Sequence, residues 1–138
     1  MAASMPTAVD RPMSDVSRDH DVCAAILDPS LIAYIAGARS LAQYRLWLTG
    51  DVDTRRRIAS RLSATRRVIA VFHTENRLAM AEPWLREAGA VGDIPARVIR
   101  NKGDDEAIGA VIAEAASQWL SQLRHGRLRV RRPAPIGS

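Results

Sequence analysis

The sequence is poor in cysteine, in aromatic residues and in long apolar runs. The shortage of cysteine and the shortage of long apolar runs each exclude a class of protein. Its single cysteine, Cys23, excludes an intramolecular disulfide framework and favours a reducing compartment. No apolar run approaches the roughly 18 residues of a membrane span. The sequence also lacks the basic segment followed by an apolar stretch that would indicate a signal peptide. The chain has 138 residues, of which 47% are hydrophobic, so it is long enough and apolar enough to form a folded core. We expect a cytoplasmic protein that does not enter the membrane.

Catalytic and metal-binding patterns are also scarce. There is no glycine-rich phosphate loop and no nucleophile elbow. His20 and Cys23 could share a helix face, but a structural zinc site needs about four ligands, so Cys23 is expected to be a small core residue. The run Asp104-Asp105-Glu106 could hold a divalent cation, although stabilisation of a helix start explains it more simply. The sequence therefore predicts a protein that is not an enzyme, with no cofactor and no metal.

Lysine is nearly absent, because arginine supplies 19 of the 20 basic residues. The net charge of +5 is unevenly placed. Residues 39–67 carry eight arginines and two aspartates, and the tail from Arg124 onward carries five arginines and no acid. Residues 1–38 and 68–123 each have a net charge of −3. A GC-rich genome would explain arginine in place of lysine but not this clustering, which indicates a phosphate-binding surface.

Residues 30–49 have the pattern of two short helices around a tight turn. Gly37 ends the first helix, because only glycine enters the left-handed conformation at little cost. Ser40 and Gln43 have the spacing of a capping box at the start of the second. This pattern predicts a helix-turn-helix with its second helix in the major groove, although an ordinary helical hairpin has the same features. The residues expected to contact bases there are Arg39, Ser40, Gln43 and Arg45.

A long helix is expected to open at Asp53. Apolar residues recur at three or four positions along it, as one buried face requires: Ile58, Leu62, Thr65, Ile69 and Phe72. Arg55, Arg56 and Arg57 oppose the helix dipole at its start, so stability gives no reason for them. Phosphate contact is one explanation for these three arginines, and a merely solvated helix face is the other.

The remaining segments are also helical by pattern, so the predicted fold class is all-α. A helix capped by Ser14 is expected to run to about Leu27. After Thr74, helices are expected around Pro83, over 96–100 behind Pro95, and after the acidic run 104–106. The last of these has the apolar face Ile108, Val111, Ile112, Ala115, Trp119 and Leu123. The predicted organisation is a flexible arm (1–13), a helix-turn-helix domain (14–73), a small helical domain (74–123) and a basic tail (124–138).

The order of these segments resembles the Xre/MbcA/ParS-like antitoxin family. The residues that carry the resemblance are Ile35-Ala36-Gly37, Trp47, Thr49-Gly50, the basic helix start 55–62, Trp84-Leu85 and the run 92–100, which is similar to the family's proline-led short helix. The resemblance spans about residues 28–120 and leaves the arginine-rich tail outside it. It implies an N-terminal helix-turn-helix joined to a helical toxin-binding domain.

The resemblance also implies partners. Such antitoxins bind toxins of the RES type, which degrade NAD, and many bind their own operator DNA. We therefore expect a homodimer on double-stranded operator DNA, with the second half blocking a RES-type toxin. A stand-alone helix-turn-helix regulator without a toxin is the alternative. The residues expected at the toxin are Trp84, Asp93, Arg97, Arg100, Asp104, Asp105 and Trp119.

Overall fold

The computed structural model describes residues 11–87 and 92–126, which form α-helices and short connections without a strand. The prediction of an all-α fold is confirmed for these residues. Three stretches lie outside them: residues 1–10 of the expected arm (1–13), residues 88–91, and residues 127–138 of the expected tail (124–138). The helices are α1 (Arg11–Ile26), α2 (Pro29–Ala36), α3 (Leu41–Leu48), α4 (Val52–Thr74), a 3-10 turn (Leu78–Met80), α5 (Ala81–Glu87), α6 (Pro95–Lys102) and α7 (Glu106–Arg124).

Helix α4 is the centre of the fold, and α1 and α7 both pack along it. The predicted apolar face is confirmed, because Ile58, Leu62, Thr65, Ile69 and Phe72 are all buried. Thr65 is polar, but its hydroxyl donates to the Arg61 carbonyl of the preceding turn at 2.8 Å. A regular 3.6-residue period thus places one side of a 23-residue helix in the core.

One hydrophobic core joins the two halves of the chain. Val16 and Cys23 of α1, Trp84 of α5 and Ile112 and Leu120 of α7 belong to the same buried cluster. The boundary expected between residues 73 and 74 falls at the last residues of α4, the helix that both halves share. Full burial of a large apolar side chain contributes about 1.5–3 kcal/mol, so each half contributes to the stability of the other.

The contact between α4 and α7 is close where α7 has a glycine. A Cβ atom added to Gly109 would lie 3.2 Å from the Arg67 Nη1 atom and 3.6 Å from the Ala64 Cα atom. Glycine in a helix interior costs about 0.5–1 kcal/mol relative to alanine. Here that cost accompanies a near approach of two helix backbones.

Three local expectations were wrong. Helix α1 begins at Arg11, so Ser14 lies inside the helix and is not its cap. Helix α4 is capped by Asp51 instead of Asp53, since the Asp51 carboxylate accepts from the Thr54 amide at 2.9 Å. That hydrogen bond is the main reason why the pKa of Asp51 is lowered. Val111 of α7 does not face the core and is 54% exposed.

The short helix predicted over 96–100 behind Pro95 is present as α6, which includes Pro95 as its first residue and continues to Lys102. Lys102 is exposed, and Gly103 behind it is buried. A Cβ atom at Gly103 would lie 2.6 Å from the Arg61 Cγ atom, so the end of α6 sits directly on α4. Among the helices in the described ranges, none combines the length and the apolar character needed to cross a bilayer.

Candidate nucleic-acid and partner interfaces

Helices α2 and α3 form a tight hairpin with both turn signals in place. Gly37 adopts φ = 96°, and the amides of Gly37 and Ala38 donate to the carbonyls of Tyr34 and Ala33, each at 3.0 Å. The Ser40 hydroxyl accepts from the Gln43 amide at 3.1 Å, and the Gln43 side-chain oxygen accepts from the Arg39 amide at 2.8 Å. The predicted glycine stop and capping box are both confirmed by this geometry.

The exposed side of α3 is small and carries one cation. Tyr44 is buried, and Trp47 and Leu48 pack against the core, which leaves Arg45 and the 71% exposed Leu46 facing outward. Of the four residues expected at bases, Arg39 and Arg45 are exposed and charged. Ser40 and Gln43 use an oxygen atom each in the cap, so their freedom to contact a base is reduced.

The three arginines at the start of α4 have different surroundings. Arg55 is half-buried, and its Nη2 atom donates to the Ser17 hydroxyl of α1 at 2.8 Å. Arg56 is exposed and lies 3.8 Å from the Asp53 carboxylate. Arg57 is exposed, and within residues 11–87 and 92–126 its guanidinium makes no hydrogen bond or ion pair. Arg56 and Arg57 are therefore available to an anion, whereas Arg55 helps to hold α1 on α4.

An arginine from the second half closes the end of α2. The Arg100 Nη1 atom donates to the Tyr34 carbonyl at 2.6 Å and to the Ala38 carbonyl at 3.1 Å. Its guanidinium carbon lies 4.6 Å from the centre of the Tyr34 ring, and the Arg61 Nε atom donates to the Arg100 carbonyl at 3.0 Å. A cation at a helix C-terminus is stabilising. This contact, which we call the Arg100 clamp, fixes α6 to the hairpin turn.

Two polar side-chain pairs join α1 to its neighbours, one to α3 and one to α4. The His20 Nδ1 atom lies 2.8 Å from the Tyr44 hydroxyl, and the Arg66 Nη1 atom lies 2.8 Å from the Asp19 carboxylate, which is 6% exposed. Burial raises the pKa of Tyr44 above its ordinary value. The sequence pattern missed these pairs, since their members are 24 and 47 residues apart. The common helix face of His20 and Cys23 was the one available signal.

The residues expected at the toxin are mostly engaged within the chain. Trp84 is 2% exposed and packs on Phe72, with 5.8 Å between ring centroids, so it is a core residue. Trp119 is half-buried against the same ring. Asp93 pairs with Arg97 at 3.0 Å. Arg100 forms the clamp, and the Asp105 carboxylate caps α7 by accepting from the Ala107 amide at 2.9 Å. Asp104 is exposed.

Helix α7 exposes a surface that includes Val111, a residue that sequence reasoning assigned to the apolar face of the helix. Val111 is 54% exposed, and Ala107 and Ala110 on the same helix are also exposed. Glu106 and Glu114 are exposed near them. We call these five residues the α7 surface; it combines an exposed apolar side chain with acidic neighbours. The period of the helix could not reveal it, because Val111 fits the apolar pattern equally well.

The side chains of the described residues contain no group of three or more histidine, cysteine, aspartate or glutamate residues placed to hold a metal ion. The two candidate surfaces, the exposed side of α3 with the start of α4 and the α7 surface, carry charged and apolar side chains. Comparison with known proteins finds no match to this chain among protein-family models, curated proteins or solved structures.

Proposed function

We propose that this protein is a DNA-binding antitoxin: its α2–α3 hairpin contacts operator DNA, and its second half binds and blocks a RES-type toxin that degrades NAD. The proposal combines the family resemblance of the sequence with the geometry of the hairpin. The protein acts by binding and carries out no chemistry of its own. We propose a homodimer, since two half-sites multiply a modest single-site affinity.

The observation that carries the DNA-binding part is the capped hairpin, with exposed arginines on α3 and at the start of α4. Gly37 and the Ser40–Gln43 box fix the turn, and Arg45 projects from the exposed side of α3. Leu46 beside it is apolar and exposed, which suits contact with a thymine methyl group. Arg56 and Arg57 on α4 supply further positive charge for phosphates.

Measurement of operator binding tests this part. An arginine contact to a base discriminates by about 1–3 kcal/mol, so Arg45→Ala should weaken specific binding and relax the preference at one or two base positions. Arg77→Ala, which removes an exposed arginine outside the hairpin, is the matched control. Equal affinity of the Arg45→Ala variant and the wild type for every duplex would exclude α3 as the recognition helix.

Salt dependence separates phosphate contacts from base contacts. Each lost phosphate contact flattens the log–log slope of affinity against salt by roughly 0.9. Arg56→Gln and Arg57→Gln should each flatten it, whereas Arg55→Gln should mainly lower stability, since Arg55 is bonded to Ser17. A chain that ends at Gly126 tests the arginine-rich tail. An unchanged slope in that chain would remove the tail from the DNA interface.

The toxin-binding part rests on the resemblance and on the α7 surface. Interfaces favour apolar contacts at their centre with charge at the rim, and the acidic residues of this surface suit the cationic pocket of an enzyme that binds NAD phosphates. Val111 is an exposed apolar residue of α7. We place it at the contact in preference to the buried Trp84.

Co-expression with the product of the adjacent gene tests this part in the full-length chain. The complex should form, and the loss of NAD caused by the toxin alone should stop. Val111→Arg should weaken the complex and restore NAD loss, whereas Ala24→Arg at an exposed position of α1 should not. Arg45→Ala should leave protection intact. If no complex forms but operator binding persists, the hairpin belongs to a stand-alone regulator.

A further inference from the structure

A groove of about 380 Å³ lies between the hairpin turn, the end of α3 and the first turns of α4. Ala36 and Gly37 form one side of it, Trp47 another, and Thr54, Arg57 and Arg61 project from α4. The volume is near the lower end of the range for small-molecule sites, about 300–1,000 Å³.

Small residues at the turn leave this space unfilled. Gly37 has no side chain, and a Cβ atom built on it would meet no heavy atom within 4 Å. Ala36 beside it has a single methyl group. The left-handed conformation at Gly37 also disfavours any larger residue there. The groove is therefore a direct result of the tight turn.

Two arginines of α4, Arg57 and Arg61, line the groove. Arg57 and Arg61 are four residues apart on α4, the spacing at which like charges on one helix face destabilise each other. The Arg61 side chain is held in place, because its Nε atom donates to the Arg100 carbonyl at 3.0 Å and its Nη1 atom to the Arg57 carbonyl at 3.1 Å. No acidic residue is among the groove lining described in the structure. An anion bound in the groove would offset the repulsion between the Arg57 and Arg61 side chains.

Trp47 lines the groove together with these arginines. It is half-buried and packs against the core, so the position of the indole is fixed. An indole face accepts a stacked ring, and arginine guanidinium groups bind carboxylate and phosphate through paired hydrogen bonds. An inorganic ion would use the arginines alone and leave the indole uncovered.

We propose that this groove binds a small planar anion, that is, an aromatic or heteroaromatic ring carrying a carboxylate or phosphate group. The acid group contacts Arg57 and Arg61, and the ring stacks on Trp47. The proposal does not depend on DNA or toxin binding. Since Arg57 is also a proposed phosphate contact, the ligand would compete with DNA and so regulate the interaction.

Titration of the full-length protein, followed by NMR of backbone amides and indole N–H groups, tests the proposal without DNA. The probes are salicylate and AMP, compared with benzamide, adenosine and inorganic phosphate. The indole signal of Trp47, assigned by its loss in Trp47→Phe, and the Gly37 amide should shift with salicylate, with AMP or with both. Which of the two binds distinguishes a carboxylate from a phosphate ligand.

Charge variants on α4 provide the matched control. Arg57→Gln should weaken binding about tenfold, as expected for one lost charge-assisted hydrogen bond. Arg56→Gln removes the same charge from the neighbouring residue, which does not line the groove, and should leave the affinity within a factor of about two. The proposal is overturned if neither acid shifts Trp47 and Gly37 at millimolar concentration. It is also overturned if inorganic phosphate, benzamide or adenosine binds as tightly as the two acids. The same holds if Arg56→Gln weakens binding as much as Arg57→Gln.

Discussion

At the scale of single residues, the buried polar groups of α1 distinguish this core from a purely apolar one. Asp19 and Cys23 lie one turn apart on α1 and face α4, where Arg66 neutralises the Asp19 carboxylate. The Arg66 side chain is 42% exposed, but Asp19 is only 6% exposed, so removal of Arg66 would leave a buried carboxylate without this partner. These residues therefore define how α1 sits on α4.

The thiol of Cys23 should make stability depend on alkaline pH. Burial and the nearby Asp19 carboxylate raise its pKa from 9.0 to about 12. The unfolded chain loses this proton first, so the contribution is intact below pH 9 and is lost as the pH rises toward 12. At pH 10 the loss should be about 1 kcal/mol. Urea unfolding at pH 7 and pH 10 measures it, and an equal loss in Cys23→Ala would contradict this origin.

Trp84 should tolerate replacement by another ring but not removal of the ring. Its buried Nε1 atom has no hydrogen-bond partner among the described residues, so Trp84→Phe breaks no such bond. We expect Trp84→Phe to lower the free energy of unfolding by less than about 1.5 kcal/mol, and Trp84→Ala by about 3–5 kcal/mol. Denaturant titration of both variants measures this. Equal losses would contradict this, since they would show that a single ring does not fill the space that the indole occupies.

At the scale of helices, the hairpin is held from three directions. Tyr44 joins α3 to His20 of α1, Trp47 packs on the core, and Arg100 of α6 binds the end of α2. The hydrogen bonds of the turn itself set its backbone conformation. The position of the hairpin on the rest of the molecule is set by elements that lie before and after it in the chain.

Loss of the Arg100 clamp should loosen the turn before it unfolds the bundle. Arg100→Ala removes two charge-assisted hydrogen bonds, each with a net contribution of about 1.5–3 kcal/mol. The Gly37 and Ala38 amides should then exchange with solvent faster, while amides in the middle of α7 stay protected, and operator affinity should fall. Arg97→Ala, which removes the exposed pair with Asp93, is the control. Uniformly faster exchange in α7 as well would indicate global destabilisation instead.

The helices and their caps were predictable where the determinants are local. Gly37, the Ser40–Gln43 box and the apolar face of α4 depend on neighbours within four residues, so their spacing alone was sufficient. The Arg100 clamp joins residues 62 and 66 positions apart. Val111 was misplaced because an apolar residue at helical spacing does not reveal whether another helix covers it. The sequence identified the arginines at the start of α4 as a cluster of positive charge. It could not show that Arg55 is bonded to Ser17 of α1.

At the scale of the whole molecule, α4 joins the two predicted domains through one shared hydrophobic core. Helix α1 lies on it together with α7, and buried residues from α5, α6 and α7 complete its core. The candidate DNA and toxin surfaces are thus attached to one framework. A partner bound to one surface can change the stability of the other only through this shared core.

A chain that ends at Thr74 should not fold on its own. It keeps α1 to α4 but loses Trp84, Leu85, Ile99, Ile112 and Leu120 from the core. We expect circular dichroism to show reduced helix per residue and no cooperative melting, whereas the full chain should unfold in a single transition. Cooperative unfolding of the truncated chain would restore the boundary predicted after residue 73.

The end of α6 carries the one side-chain amine of the sequence that can be labelled selectively. Lys102 is the single lysine of the sequence and is exposed, close behind the Arg100 clamp. Every other basic side chain is arginine or histidine, and arginine does not react with acylating reagents under mild conditions because it stays protonated. Acylation of lysine side chains can therefore modify one residue only. A fluorophore attached there would report from α6, at the junction of the hairpin and the second half.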